Sequence, residues 1–129
     1  MAGTVSATAS AITGAAPISA DLIRWYRALG IELNELWGMT EVTGAATCNP
    51  QGRSRPGSIG VPLPGTEVKL SPEGELMVRS AQVFMGYLNL PEKTAETIDK
   101  DGWLHTGDVG TVDADGYYRI TDRMKDIII

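Results

Sequence analysis

The chain has 129 residues, 43% of them hydrophobic, enough for one modest domain. Its 11 basic and 16 acidic side chains leave a net charge of −5, which argues against a nucleic-acid partner and provides no basic membrane patch. No apolar run approaches the ~20 residues that span a bilayer, and Met1-Ala2-Gly3-Thr4 does not open a basic-then-apolar leader. The one cysteine, Cys48, has no partner for an internal disulfide, so a reducing cytoplasm is expected.

In chain order, residues 4–13 mix β-branched and small side chains and predict a buried strand. Gly14-Ala15-Ala16-Pro17 makes a small-residue connection, and Ser19 stands as the N-cap of a helix with Asp21 in its first turn. Leu22, Ile23, Tyr26 and Leu29 recur at helical spacing until Gly30 ends the helix. A second strand, Ile31–Trp37, completes a β-α-β piece at the edge of a parallel sheet. Residues 43–58 read as a polar loop. Short strands follow at Ser58–Val61, Glu67–Leu70 and Glu75–Arg79, punctuated by Pro62, Pro64-Gly65 and Pro72-Glu73-Gly74. Residues 91–98 predict a short helix with Pro91 in its first turn. Two β-rich runs, Val109–Val112 and Tyr117–Thr121, flank Asp113-Ala114-Asp115-Gly116 and predict a hairpin. That hairpin would place Asp108 just before its first strand and bring it to the same edge as Arg123 and Lys125. Many short strands with Pro/Gly turns indicate a small distorted β-barrel.

The stretch Glu35-Leu36-Trp37-Gly38-Met39-Thr40-Glu41 leaves a strand, turns at Gly38 and presents a hydroxyl beside a carboxylate. A nucleotide would suit it: Trp37 offers adenine a flat face, Thr40 can donate to a phosphate oxygen, and Glu41 can hold Mg²⁺. A solvated turn accounts for the same residues. His105, the sole histidine, lies near no metal-ligating or nucleophilic constellation and reads as structural, orienting the turn around Trp103. Cys48 reads as an ordinary buried thiol. Trp25, Trp103 and Tyr87 read as packing.

Residues 101–125, DGWLHTGDVGTVDADGYYRITDRMK, closely resemble the signature segment of fatty acyl-CoA synthetases, in the superfamily of adenylate-forming enzymes. The resemblance runs from Thr13 onward, and Gly86-Tyr87-Leu88-Asn89 with Pro91-Glu92-Lys93-Thr94 supports the same alignment. It implies an α/β-plus-β fold: a terminal β-α-β piece of a large parallel-sheet domain over 1–42, an antiparallel barrel over 43–121, and a hinge over 122–129. Trp37-Gly38-Met39-Thr40-Glu41 is similar to the family's aromatic-Gly-x-Thr-Glu motif, with Trp where Tyr is commoner. There Thr40 would meet the α-phosphate and Glu41 the magnesium ion. Gly14-Ala15-Ala16-Pro17 would lie against the adenine ring opposite Trp37, with Asn34 and Glu35 along its edge through their backbone. Asp108 would accept both ribose hydroxyls, with Arg123 beside it, and Lys125 would be the hinge residue. Val42, Thr43 and Gly44 would lie near the acyl pocket.

By resemblance, the reaction joins a fatty acid to ATP as acyl-AMP with loss of pyrophosphate, and CoA then displaces AMP. A Gly/Ser/Thr-rich phosphate loop ending in lysine, which stabilises the charge developed in the first step, is missing from these 129 residues. The chain is therefore expected to be a fragment of a fatty acyl-CoA ligase, inactive alone. Its partners would be fatty acid, ATP and CoA, and its exposed sheet edges would favour self-association. A cytoplasmic location, with peripheral contact at the inner membrane face, is expected. A fatty acyl-AMP ligase feeding a carrier protein, an aryl-CoA ligase, and a nucleotide-binding or interaction module without chemistry are the alternatives.

Overall fold

The computed structural model describes residues 9–124. Strand β1 (Ala9–Thr13), helix α1 (Ala20–Ala28) and strand β2 (Ile31–Met39) form a β-α-β unit. Its strands run parallel, with Ala9 opposite Ile31 and Thr13 opposite Glu35. Ser19 caps α1: its Oγ accepts the Leu22 N–H at 3.2 Å, satisfying one of the helix's orphan donors. The helix buries less than its spacing suggests. Ile23 is 1% exposed, but Leu22, Trp25 and Leu29 lie open to solvent. Trp25 is therefore not a core residue; it meets Tyr26 edge-on with ring centres 5.1 Å apart.

A single 3₁₀ turn, Thr40–Val42, reverses the chain into β3 (Gly44–Cys48), which pairs antiparallel with β2. The region expected to be loop thus contains a strand. Gly44-Ala45-Ala46 has little intrinsic β-preference, and tertiary pairing overrides it because small residues let the two backbones approach closely. A Cβ on Gly38 would stand 1.7 Å from the Gly44 carbonyl oxygen. Strand β4 (Val61–Pro62) completes the first sheet in the order β1-β2-β3-β4. The expected strand at Ser58–Val61 shrinks to this pair and a bridge from Gly60 to Tyr118. Gly60 adopts φ +83°, and a Cβ there would sit 2.0 Å from the Cys48 carbonyl carbon, so this crossing admits only glycine. The division expected at residue 42 falls at the turn between the paired strands β2 and β3.

The second sheet is antiparallel throughout, in the order β5 (Thr66–Leu70), β6 (Glu75–Ser80), β7 (Leu104–Val112), β8 (Tyr118–Arg123). Register shifts at Glu75/Met77 and at Val109/Gly110 curl it into a half-barrel. Between β6 and β7 lies a short helix, α2 (Pro91–Thr97), begun by proline. The hairpin turn forms as the Asp-Gly pattern predicts, with Asp113 Oδ1 accepting the Asp115 and Tyr117 N–H groups at 3.0 Å each. Strand β7 starts earlier than its β-rich run, so Asp108 lies inside the strand instead of preceding it.

The sheets share one core. Val42 from the 3₁₀ turn and Ala46 from β3 meet Val78 and Leu104 from the second sheet, all fully buried, and Ile59, Leu76 and Tyr118 form the adjoining group. Trp37 is half-buried and packs against both groups. Arg55 fastens the 49–58 loop to the hairpin tip, pairing with Asp113 at 2.7 Å and Asp115 at 2.6 Å while lying 4.0 Å over the Tyr117 ring. Among the described residues, no helix is long and apolar enough to cross a membrane. Replacing Leu104 (0% exposed) by alanine should cost about 3 kcal/mol, whereas Leu88→Ala, at 88% exposed, should cost under about 0.5 kcal/mol. Urea midpoints measure both, and equal losses would contradict this assignment of the core.

Candidate functional site

The site is built where the end of β2 faces the middle of β7. Asp108 is 6% exposed, and a carboxylate taken so far from water needs hydrogen-bond partners. It has them on both oxygens. Oδ2 accepts the indole N–H of Trp37 at 2.9 Å, and Oδ1 accepts the Nε–H of Arg123 at 2.6 Å. Arg123 reaches it because Asp108 and Arg123 are register partners across the β7–β8 pair. The edge expected from the hairpin thus brings acid and base together. Lys125 lies outside the described residues.

The stretch of β7 that carries Asp108 is fixed from several sides. The Thr106 hydroxyl donates to the Leu76 carbonyl at 2.8 Å and accepts the Asp108 N–H at 3.1 Å. Buried Glu75 accepts the Gly107 N–H at 2.9 Å through Oε1, while its Oε2 lies 2.8 Å from Nδ1 of His105. His105 Nε2 stands 3.6 Å from Asp99, so the histidine bridges two carboxylates, one of which accepts the Trp103 N–H at 2.9 Å. Glu75 and its link to the Gly107 turn were not legible in the sequence, because they join residues 32 positions apart. Among the described residues no group of three His, Cys, Asp or Glu side chains could hold a metal ion.

Thr40 and Glu41 occupy the 3₁₀ turn at the end of β2, with Thr40 exposed and Glu41 half-buried. Glu41 Oε1 accepts the Tyr87 hydroxyl at 2.7 Å, and the Glu41 carbonyl accepts the Phe84 N–H at 2.8 Å. Tyr87, expected only to pack, therefore holds the carboxylate of the Thr-Glu pair. That bond holds the Tyr87 phenol above its usual range. Thr94 fixes Tyr87 in turn by accepting its N–H at 2.9 Å, and Phe84 meets the Tyr87 ring edge-on at 4.8 Å. Val42, expected near an acyl pocket, is wholly buried in the core, while Thr43 donates to the Gln82 carbonyl and Gly44 opens β3.

Gly14, Ala15, Ala16 and Pro17 follow β1 and lie beside β2: a Cβ on Gly14 would fall 2.5 Å from Leu36 Cδ1. Asn34 is 3% exposed, with Nδ2 donating to Ser10 Oγ at 3.3 Å. Among the described residues, its Oδ1 has no partner. Cys48 shares a weak contact with the Asn49 carbonyl, and burial pushes its thiol pKa up, away from nucleophilic chemistry.

The family profile described as AMP-binding enzyme matches residues 3–88. The chain belongs to the AMP-binding enzyme family. Long-chain-fatty-acid–CoA ligase ACSBG2 of Gallus gallus is 43% identical over 122 residues, covering 91% of this chain and 16% of that ligase. A solved Mycobacterium tuberculosis fatty acyl CoA synthetase superposes with a TM-score of 0.82 at 34% identity, over 94% of this chain and 26% of that one. The O-succinylbenzoate coenzyme A synthetase of Bacillus subtilis, solved with ATP and magnesium ion, superposes at 0.83 with 29% identity, over 93% and 27%. The chain spans about a sixth of the length of that curated ligase.

In this AMP-binding enzyme chain the adenine edge expected at Glu35 carries a titratable group. Burial pushes the Glu35 carboxyl above its usual range, partly offset by the Ile18 N–H that it accepts. The folded carboxyl binds its proton more tightly than the unfolded one, so stability is lost as pH rises from the ordinary Glu value through the raised one. Glu35→Gln removes the charge. The variant should match the parent near about pH 4 and exceed it in thermal midpoint near about pH 8. A variant less stable at the higher pH would contradict the raised value.

Proposed function

We propose that this chain supplies the nucleoside side of the active site of an AMP-forming fatty acyl-CoA ligase, which activates a fatty acid with ATP to acyl-AMP and transfers the acyl group to CoA. One observation carries the reading: Trp37, Asp108 and Arg123, 71 and 15 positions apart, converge on one buried carboxylate. The similarity of 91% of the chain to a named long-chain ligase supports the substrate class. In this reading residues 1–42 end the α/β part, 43–121 form the barrel, and 122–129 lead to a hinge that includes Lys125. The protein would work in the cytoplasm, peripheral to the inner membrane face where fatty acids partition.

Each residue then has a task set by its chemistry. Asp108 accepts the ribose hydroxyls with Arg123 alongside. Gly14-Ala15-Ala16-Pro17 and the backbone of Asn34 and Glu35 border adenine, and Trp37-Gly38 closes the other side. Thr40, exposed beside Glu41, donates to the α-phosphate. Mg²⁺ fits the donor set as a phosphate-borne ion: Glu41 is a single half-buried carboxylate, and Mg²⁺ is characteristically held by one or two carboxylates plus substrate phosphates. When bound, it would neutralise charge on the phosphates, with Glu41 as its protein ligand and Tyr87 orienting that carboxylate. The negative charge on the fatty acid and phosphates makes such neutralisation necessary for their approach.

Calorimetry on the purified chain tests the reading. A non-hydrolysable acyl-adenylate analogue should bind, and Asp108→Ala should weaken it by about tenfold or more while the protein stays folded by circular dichroism. The 129 residues alone should form no acyl-AMP from ATP and palmitate. Unchanged binding in the variant, or rapid adenylate formation by the chain itself, would overturn this account.

A further inference from the structure

Trp37 is suited to more than offering a ring face. Half-buried, it packs against both core groups, and its N–H ends on Asp108 Oδ2. We propose that Trp37 is a positioning residue that sets selectivity for a ribose diol by holding the Asp108 carboxylate; this rests on reading Asp108 as the ribose ligand. The argument is one of acceptor counting. An ionised carboxylate offers about four acceptor positions. Trp37 takes one on Oδ2 and Arg123 takes one on Oδ1, which leaves a position on each oxygen. Two acceptors on adjacent oxygens match the two hydroxyls of a vicinal diol.

The backbone of Asp108 is already fixed in β7, and its N–H is bound by Thr106. The remaining freedom is rotation of the carboxylate about its terminal torsion, which is intrinsically broad. Arg123 is a poor clamp for that rotation because its side chain is 61% exposed. Trp37 is a good one, being rigid, half-buried and seated on both core groups. Whatever its face offers the base, its N–H acts on the sugar.

The test compares 5′-AMP with 2′,3′-dideoxy-AMP on the 129-residue chain by calorimetry. Wild type should bind AMP about tenfold or more tighter than the dideoxy form. Trp37→Phe keeps an aromatic ring but removes the donor. Its preference for AMP should fall below about threefold, AMP losing more affinity than dideoxy-AMP does. A second readout needs no variant: AMP should shift the Trp37 indole proton resonance through Asp108 more than dideoxy-AMP does, although both bring the same adenine ring. Equal weakening of both nucleotides in Trp37→Phe, an unaltered preference, or indole shifts equal for the two ligands would overturn the proposal while leaving the ribose reading intact. A wild-type chain that does not discriminate, or does not bind, would overturn the ribose reading and the proposal with it.

Discussion

The hydrogen bond from Trp37 to Asp108 is the contact on which the arrangement depends. It is the point where the end of the parallel unit and the middle of the half-barrel agree on a position. A carboxylate with 6% exposure would cost several kcal/mol without partners, so its donors determine whether β7 can lie where it does. One donor comes from the neighbouring strand through Arg123; the other crosses from the first sheet. The crossing donor ties the sheets with direction, which the apolar contacts among Val42, Ala46, Val78 and Leu104 cannot supply.

Around that contact, side chains fix the loops by the same device. Asp113, Asp99 and Ser71 each accept backbone N–H groups of their own turns, and Asn49 donates to the Glu35 and Ser58 carbonyls while accepting the Arg55 N–H. The elements so held place Glu41 in a turn, Asp108 within β7 and Arg123 at the end of β8, on a rigid support. Two residues that the sequence did not assign to the site complete that support. Tyr87 holds the Glu41 carboxylate, and Glu75 holds the Gly107 turn. Both act on the proposed ligand groups from behind.

Much of this was legible before any coordinates. Ser19 and Gly30 bracketed α1, and the Asp113–Gly116 turn placed the hairpin, because caps and tight turns are local chemistry. The same pairing rule brought Asp108 opposite Arg123. Strand β3 was not legible, because Gly44, Ala45 and Ala46 carry no β signal of their own and become a strand only against β2. Helix α1 was read as more amphipathic than the described residues bury. The roles of Trp37, Tyr87 and Glu75 depend on contacts 71, 46 and 32 residues apart, which no window of sequence encloses. Motif resemblance named the residues that would touch a nucleotide and said nothing of those that hold them.

A double-mutant cycle on folding stability tests the link between the sheets most directly. Trp37→Phe, Asp108→Ala and the double variant would be unfolded in urea beside the parent. The account predicts a coupling of between about 1 and 3 kcal/mol, the range for hydrogen bonds to charged groups. Strictly additive losses would contradict it, leaving two sheets joined by apolar packing alone.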